Sequence, residues 1–246
     1  MPGKTAIGLL LSGAYLFWLL VAAPARLLTL ALPEGVGVGE LTGTVWQGEA
    51  RQLTWRGVSL DRLRWKMAFS SGLPGWQITL SDPGGVRGQV WLHGLTTLRL
   101  HDGHLVIPAA LASRWFTPDI PVEAGGQISL TLPAGRFNRA GCQQLTQGRA
   151  QWQEARLNSP AGTLELASVS GQLSCTPAGA LALTLRQDSQ QLSLSGQGTL
   201  NPDGRYAFRG SLQMRQGTPP LLAMLLAQNP RKDEQGRIPW QLQGQW

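Results

Sequence analysis

The residues able to carry acid–base or metal chemistry are few. His101 and His104 flank Asp102-Gly103, and His93 is the third histidine of the chain. A metal centre or an acid–base pair needs such groups to converge. Three-residue spacing across a hairpin turn achieves this only occasionally, and its ordinary outcome is a set of solvated turn residues. Serines are common, yet none sits in Gly-x-Ser-x-Gly, and Ser193-Leu-Ser195-Gly196 lacks the nucleophile-elbow pattern. No Gly-rich span has the strand–loop–Lys order of a phosphate-binding loop. Glu49, Asp61, Glu123, Glu154 and Glu165 stand in polar settings, so no carboxylate pair is marked. The expectation is a protein without catalytic, metal or cofactor-binding residues, and therefore not an enzyme.

Cys142 and Cys175 are the two cysteines. Neither belongs to a CxxC pair, which argues against a metal site. Two readings stay open. If this part of the chain lies outside the cytoplasm, they form a disulfide, whose loop closure contributes roughly 2–4 kcal/mol. Otherwise they are two unpaired buried thiols.

The elements that must position these residues are short strands. Of 246 residues 42% are apolar, enough for a real core, while only 14% are charged; Gly 31 and Pro 16 fit many turns rather than long helices. From position 41 the apolar residues recur with period two. Leu60, Arg62, Arg64 and Lys66 share one strand face; Asp61, Leu63, Trp65, Met67 and Phe69 share the other. Trp76, Ile78 and Leu80 follow, then Asp82-Pro-Gly-Gly85 as a turn. Asp102-Gly103 is read as a hairpin turn. Ile128, Leu130 and Leu132, then Leu181, Leu183 and Leu185, repeat the habit, and Pro202-Asp-Gly204 turns the chain again. Two short helices interrupt, over Pro108–Phe116 and from Pro219-Pro220 through Ala227, with proline tolerated at a helix start. The class is all-β and mostly antiparallel rather than α/β.

The N-terminus reads differently. Ile7 to Ala25 is almost wholly apolar, follows Lys4, and nearly reaches the length a bilayer requires. Positive charge at its start predicts a single-pass anchor with the N-terminus in the cytoplasm. The rival is a removed signal peptide ending near Ala23-Pro24-Ala25, against which the length of the apolar run and Pro24 both weigh. The expected organisation is a cytoplasmic tail over 1–6, a transmembrane anchor over 7–25, a juxtamembrane linker over 26–40, and a β-rich domain over 41–246 outside the cytoplasm, with two subdomains dividing near 120.

Leu41-Thr-Gly-Thr-Val-Trp-Gln-Gly48 is read as a short strand bearing Val45 and Trp46, bracketed by glycines. Ten tryptophans against two tyrosines admit two accounts. They fill the core of a thinly charged β protein, or Trp46, Trp55, Trp65 and Trp76 line an apolar groove for lipid or peptide. The basic face of Arg62, Arg64 and Lys66 meets acidic lipid headgroups, meets an acidic partner, or is the solvated side of a strand. The net charge of +7 comes from scattered arginines, without the clustering of a phosphate groove, which speaks against nucleic acid.

In order along the chain, the N-terminal apolar run, Leu41–Gly48, Leu63-Arg-Trp65, Gly125–Leu130, Gly148-Arg-Ala-Gln-Trp152, Asn201–Tyr206 and Arg237–Leu242 resemble the inner-membrane N component of the bacterial type II secretion system. The resemblance implies an accessory, non-catalytic component of the envelope machine that exports folded proteins. It implies a periplasmic bulk, a place in the cell inner membrane, and partners among the inner-membrane and periplasmic components of that system. It implies structural roles for Gly43, Trp46, Gly48, Leu63 and Trp65, and a periplasmic disulfide between Cys142 and Cys175. The family in turn resembles envelope proteins with long, curved β-sheets, some linked to lipid transport. By that analogy the alternative function is a lipid-binding or lipid-transfer module, with membrane phospholipid as partner.

Overall fold

Pro24 sets the first architectural boundary. Helix α1 (Gly3–Val21) ends three residues before it, and Pro24 is extended, with φ −70° and ψ 146°, as the chain enters a 3-10 helix over Ala25–Ala31. The structure is a computed structural model that describes residues 3–32, 35–55, 58–70, 72–94, 96–113, 122–160, 162–227 and 233–245. The chain divides into two units, Met1–Thr79 and Leu80–Trp246.

The first unit corrects the expectation of a membrane anchor. Among the described residues no helix is long and apolar enough to cross a membrane. The physical reason is length. The apolar part of α1 runs from Ile7 to Val21, 15 residues, which at 1.5 Å per residue is about 22 Å against a hydrocarbon core of about 30 Å. The four further residues of the expected 7–25 span are non-helical or belong to the 3-10 turn. Pro24 pairs with Thr44 instead. That finding overturns the expected N-terminal transmembrane helix and, with it, the single-pass inner-membrane topology with a periplasmic bulk, which the apolar run and the resemblance had both implied.

After the 3-10 helix come β1 (Val36–Gly43), β2 (Gln47–Trp55), β3 (Val58–Ser70) and β4 (Leu73–Ser81), in sheet order β1-β2-β3-β4. The pairs β1–β2 and β2–β3 are antiparallel. The core of this unit is Ala25, Ala50 and Trp65, with Leu41, Leu53, Leu63, Trp76 and Ile78 packed around it. The alternation read over positions 60–69 holds around Trp65, which is buried with Leu63 packed beside it while Arg62 and Arg64 lie on the opposite face; Asp61 and Phe69, at the ends of the expected apolar face, are exposed.

The second unit holds β5 (Arg87–His93), β6 (Leu98–Pro108), α2 (Ala109–Ser113), β7 (Glu123–Asn138), β8 (Gly141–Thr146), β9 (Gly148–Ser159), β10 (Gly162–Cys175), β11 (Leu181–Asp188), β12 (Leu192–Leu200), β13 (Arg205–Met214), α3 (Pro220–Ala227) and β14 (Ile238–Gln245). Each strand pairs with its successor in sequence except β8, which pairs with β7, as β9 also does. The register does not change between those two: Ala134 faces Thr146 on β8, and three residues along Thr131 faces Arg149 on β9. They are one line of chain bent at Gln147, whose φ is 50°. Both expected helices are present, though residues 114–116 of the first lie outside the described residues. The expected Asp102-Gly103 hairpin turn is not there. Asp102, with φ 51°, is a bulge inside β6, and it shifts the β5–β6 register between Gln89 and Trp91.

Following the register across β9 to β14 separates two faces. One row reads Arg149, Gln172, Thr184, Gln197, Arg209 and Gln241; another reads Gln151, Ser170, Arg186, Ser195, Ser211 and Pro239. Between them, on the opposite face, runs Ala150, Gly171, Leu185, Gly196, Gly210 and Trp240, and next to it Gly148, Leu173, Leu183, Gly198, Phe208 and Leu242. Period-two alternation thus gives a polar, exposed face and an apolar, mostly half-buried one. On the apolar face aromatic rings lie on glycines. A Cβ at Gly198 would fall inside the Phe208 ring, and one at Gly210 would meet the Trp240 indole. The densest packing is Ala155, Leu164, Leu166, Val169 and Leu192, against which Leu222 of α3 packs. Pro202-Asp-Gly204 turns β12 into β13 as expected, with Asn201 N–H donating to Arg205 O at 2.8 Å.

Candidate functional site

The glycine-bracketed Trp46 stretch is a connection, not a strand. Thr44 to Trp46 joins β1 to β2, and its groups close several chain ends together. Trp46 Nε1 donates to Leu20 O at 2.8 Å. That carbonyl is among the last four of α1, which have no partner inside the helix. Val45 N–H donates to Ala23 O at 3.0 Å, and Met67 N–H to Trp46 O at 2.6 Å. Trp65 Nε1 is shared between Thr44 O at 3.1 Å and Val45 O at 3.2 Å. The indoles of Trp46 and Trp65 therefore fix the same connection from two sides. Gly48 makes this possible, because the Trp65 ring lies where a Cβ would stand.

On the other side of the strands sits Glu49. It faces Arg64 across β2–β3, where its neighbour by two, Arg51, faces Arg62. Glu49 accepts from Arg51 Nε at 2.6 Å and from Arg64 Nε at 2.7 Å. Arg62 stands at 3.4 Å as an ion pair without a hydrogen bond. The hydrogen bond from Arg51, then that from Arg64, holds the Glu49 carboxyl down at about 2, and the same contact raises Arg51 above its ordinary value. Glu49, Arg64, Trp65 and Lys66, with Thr42, Gln47, Gln77 and Thr79, border a cleft of about 440 Å³.

The four tryptophans are not equivalent. Trp65 is buried, Trp76 packs on the cluster around it, and Trp46 is half-buried at the end of α1. Trp55, 47% exposed, stands at the far end of β2 between Val36 and Val58. Of the basic set, Arg62 and Arg64 converge on Glu49, and Lys66 lies opposite Gln47. Sequence reasoning missed Glu49 and Arg51. Their i, i+2 spacing within one strand was legible, but the cross-strand register that gives one carboxylate three guanidiniums was not.

In the second unit Cys142 and Cys175 form a disulfide, Cα–Cα 5.4 Å, between the start of β8 and the end of β10. His93, buried, and His101 bring their Nε2 atoms within 2.6 Å, so one nitrogen donates and the other accepts. His101 Nδ1 lies 3.0 Å from Asp102 Oδ2. Trp91 stacks on His101. His104 is placed apart, opposite Gln89 and Thr131 on the polar face. Among the described residues no group of three or more His, Cys, Asp or Glu side chains is placed to hold a metal ion.

These features define a class: an antiparallel-sheet protein whose paired polar side chains tie its own segments together. The comparisons name the family. The type II secretion system (T2SS) protein N family matches residues 34–241. The chain is 58% identical to the type II secretion system protein N of Klebsiella pneumoniae, over 100% of this chain and 98% of that one. It is 36% identical to the protein of the same name from Pectobacterium carotovorum subsp. carotovorum, over 98% and 96%. It is 33% identical to that of Vibrio cholerae, over the full length of both. No solved structure matches. The chain belongs to the type II secretion system protein N family. Members are non-catalytic, and the chain is accordingly a structural or accessory component of that machinery.

Proposed function

We propose that the chain acts through protein–protein contacts with other components of the secretion machinery, and that the outer edge of β14 makes one of them. The observation carrying this reading is the end of the sheet path. Among the described residues β14 pairs only with β13, and an unpaired strand edge is a template for adding a partner's strand. Gln241, Leu242, Gln243 and Gln245 on β14 are exposed. In the first unit the chain at the end of β1 is tied to the 3-10 helix region through the Pro24–Thr44 bridge. A photoreactive side chain at Gln243, activated in host cells that assemble the secretion system, should give adducts to another component. Absence of protein adducts there overturns the reading.

A second reading, a lipid-binding module, has one observation in its favour. The apolar face of the second unit is only half-buried over much of its extent, and no large side chain among the described residues is fully buried. Such a face is an open apolar surface rather than a closed core. A photoreactive probe at Leu183 yielding phospholipid adducts, with none to protein at Gln243, would make this the leading function.

A further inference from the structure

We propose that the polar face of β9 to β11, around Arg149 and Arg186, is a docking surface for an acidic, extended segment of a protein partner. The inference starts from how the chain uses its arginines. Arg51 and Arg64 hold Glu49; Arg205 holds Asp203, Arg215 holds Asp188, and Arg237 holds Asp233. Arg149, Arg186 and Arg209 have no ion-pair partner among the described residues, although all three are exposed on one sheet face.

Their placement is regular. Arg149 and Arg209 belong to one register row, Arg186 to the next row on the same face, and they occupy every second strand: β9, β11, β13. Two strands at about 4.8 Å and two residues at about 3.4 Å put successive guanidinium-bearing positions about 12 Å apart. An extended peptide spans that distance in about four residues. Neither row carries an Asp or Glu from β9 to β14. The nearest acid along the strand, Asp188, is engaged by Arg215 at 2.7 Å.

Between Arg149 and Arg186 the face is indented, a cleft of about 340 Å³ bordered by Gln151, Ser170, Gln172 and Thr184. Ser170 Oγ is spent on Arg186 O at 3.2 Å. The amides of Gln151 and Gln172 make no side-chain hydrogen bond among the described residues, so two guanidiniums and two amides offer donors to one indentation. Guanidinium forks match carboxylates bidentately. The occupant is protein rather than lipid, because neither row offers a large exposed apolar side chain to enter acyl chains. Nor do the rows carry an aromatic ring on which a nucleobase would stack. This surface is distinct from the β14 edge, so either contact can fail without the other.

The test uses the full chain and a fluorescent twelve-residue Gly/Ser peptide with Glu at every fourth position, alongside its Gln counterpart. Anisotropy should show binding of the Glu peptide alone, weakening steeply with salt. The double variant Arg149→Gln/Arg186→Gln should weaken it by about tenfold or more. The control Arg205→Gln/Arg237→Gln, whose partners Asp203 and Asp233 lie outside both rows, should leave it unchanged, and an unaltered urea midpoint in the first variant excludes misfolding. In host cells a photoreactive side chain at Gln172 should give protein adducts that the double variant abolishes. Equal binding of the Gln peptide, or undiminished binding by the double variant, overturns the proposal. So does binding to phosphatidylglycerol vesicles that depends on these arginines while the Glu peptide does not bind.

Discussion

Replacing Gly48 by alanine adds one methyl group at the place where the Trp65 ring crosses β2. That Cβ would meet Trp65 Cζ2 and the carbonyl oxygen of Thr42, both far inside van der Waals contact. The φ of Gly48 is not left-handed, so the effect is steric and not backbone strain. Trp65 is 6% exposed and belongs to the core with Ala25 and Ala50, which leaves the ring little room to swing. Overpacking of this kind costs about 1–3 kcal/mol. Displacing the indole also breaks its shared hydrogen bond to Thr44 O and Val45 O, about 1 kcal/mol more. A loss of about 2–4 kcal/mol corresponds to a drop in Tm of order 10 °C for a chain of this length. The assay is thermal and urea unfolding of the full chain, wild type and Gly48→Ala, repeated in a Trp65→Leu background. With the ring gone, the alanine should lose much of its penalty, giving a coupling of about 1 kcal/mol or more. Equal penalties in both backgrounds, within about 0.5 kcal/mol, would show that Gly48 is not required by Trp65.

Trp46→Phe keeps an aromatic ring and removes the donor to Leu20 O; the loss should be about 0.5–1.5 kcal/mol, with faster amide exchange at Val45, and unchanged exchange there would contradict the tie between Trp46 and the end of α1. Because the folded Glu49 carboxyl titrates at about 2 against an ordinary value of 4.5, its stabilisation is complete above pH 4.5 and is lost as pH falls towards 2. Glu49→Gln should flatten the acid limb of a stability–pH curve over that window, and an identical curve would refute the depressed carboxyl. Reduction of Cys142–Cys175, which closes a 33-residue separation, should lower stability by roughly 2–4 kcal/mol, read as a lower urea midpoint in reductant and in Cys142→Ser/Cys175→Ser. A midpoint indifferent to reductant would mean that β8 and β10 are held without it.

Much of the architecture was legible in the chain. Period-two alternation, as in Arg62, Arg64 and Lys66 against Leu63, Trp65 and Met67, is a property of extended backbone, so it places side chains on faces before any partner strand is known. Pro202-Asp-Gly204 and Asp82–Gly85 turned the chain where their composition said, because turn preferences are local. The proline-opened apolar run yielded α3 for the same reason. The family was legible too, from motifs in order along almost the whole chain.

What failed or stayed hidden depended on distance through space. Composition could not tell that Asp102 is a bulge rather than a turn, because β7 continues alongside β6 past it and holds the strand extended. Hydropathy read 7–25 as one span, whereas α1 ends at Val21, Ala23 O accepts from Val45 N–H, and Pro24 forms an isolated bridge with Thr44, twenty residues on. Trp46 and Trp65 were marked by type alone. Only the fold brought both indoles to the Thr44–Trp46 connection and three arginines to Glu49. The sequence by itself determined strand faces, the turns at Asp82–Gly85 and Pro202–Gly204 and the absence of catalytic motifs, which are set by neighbours within a few residues. Tertiary structure decided the register across strands, and with it which arginines are neutralised and which are left exposed, because a shift of one residue exchanges every side chain between the faces.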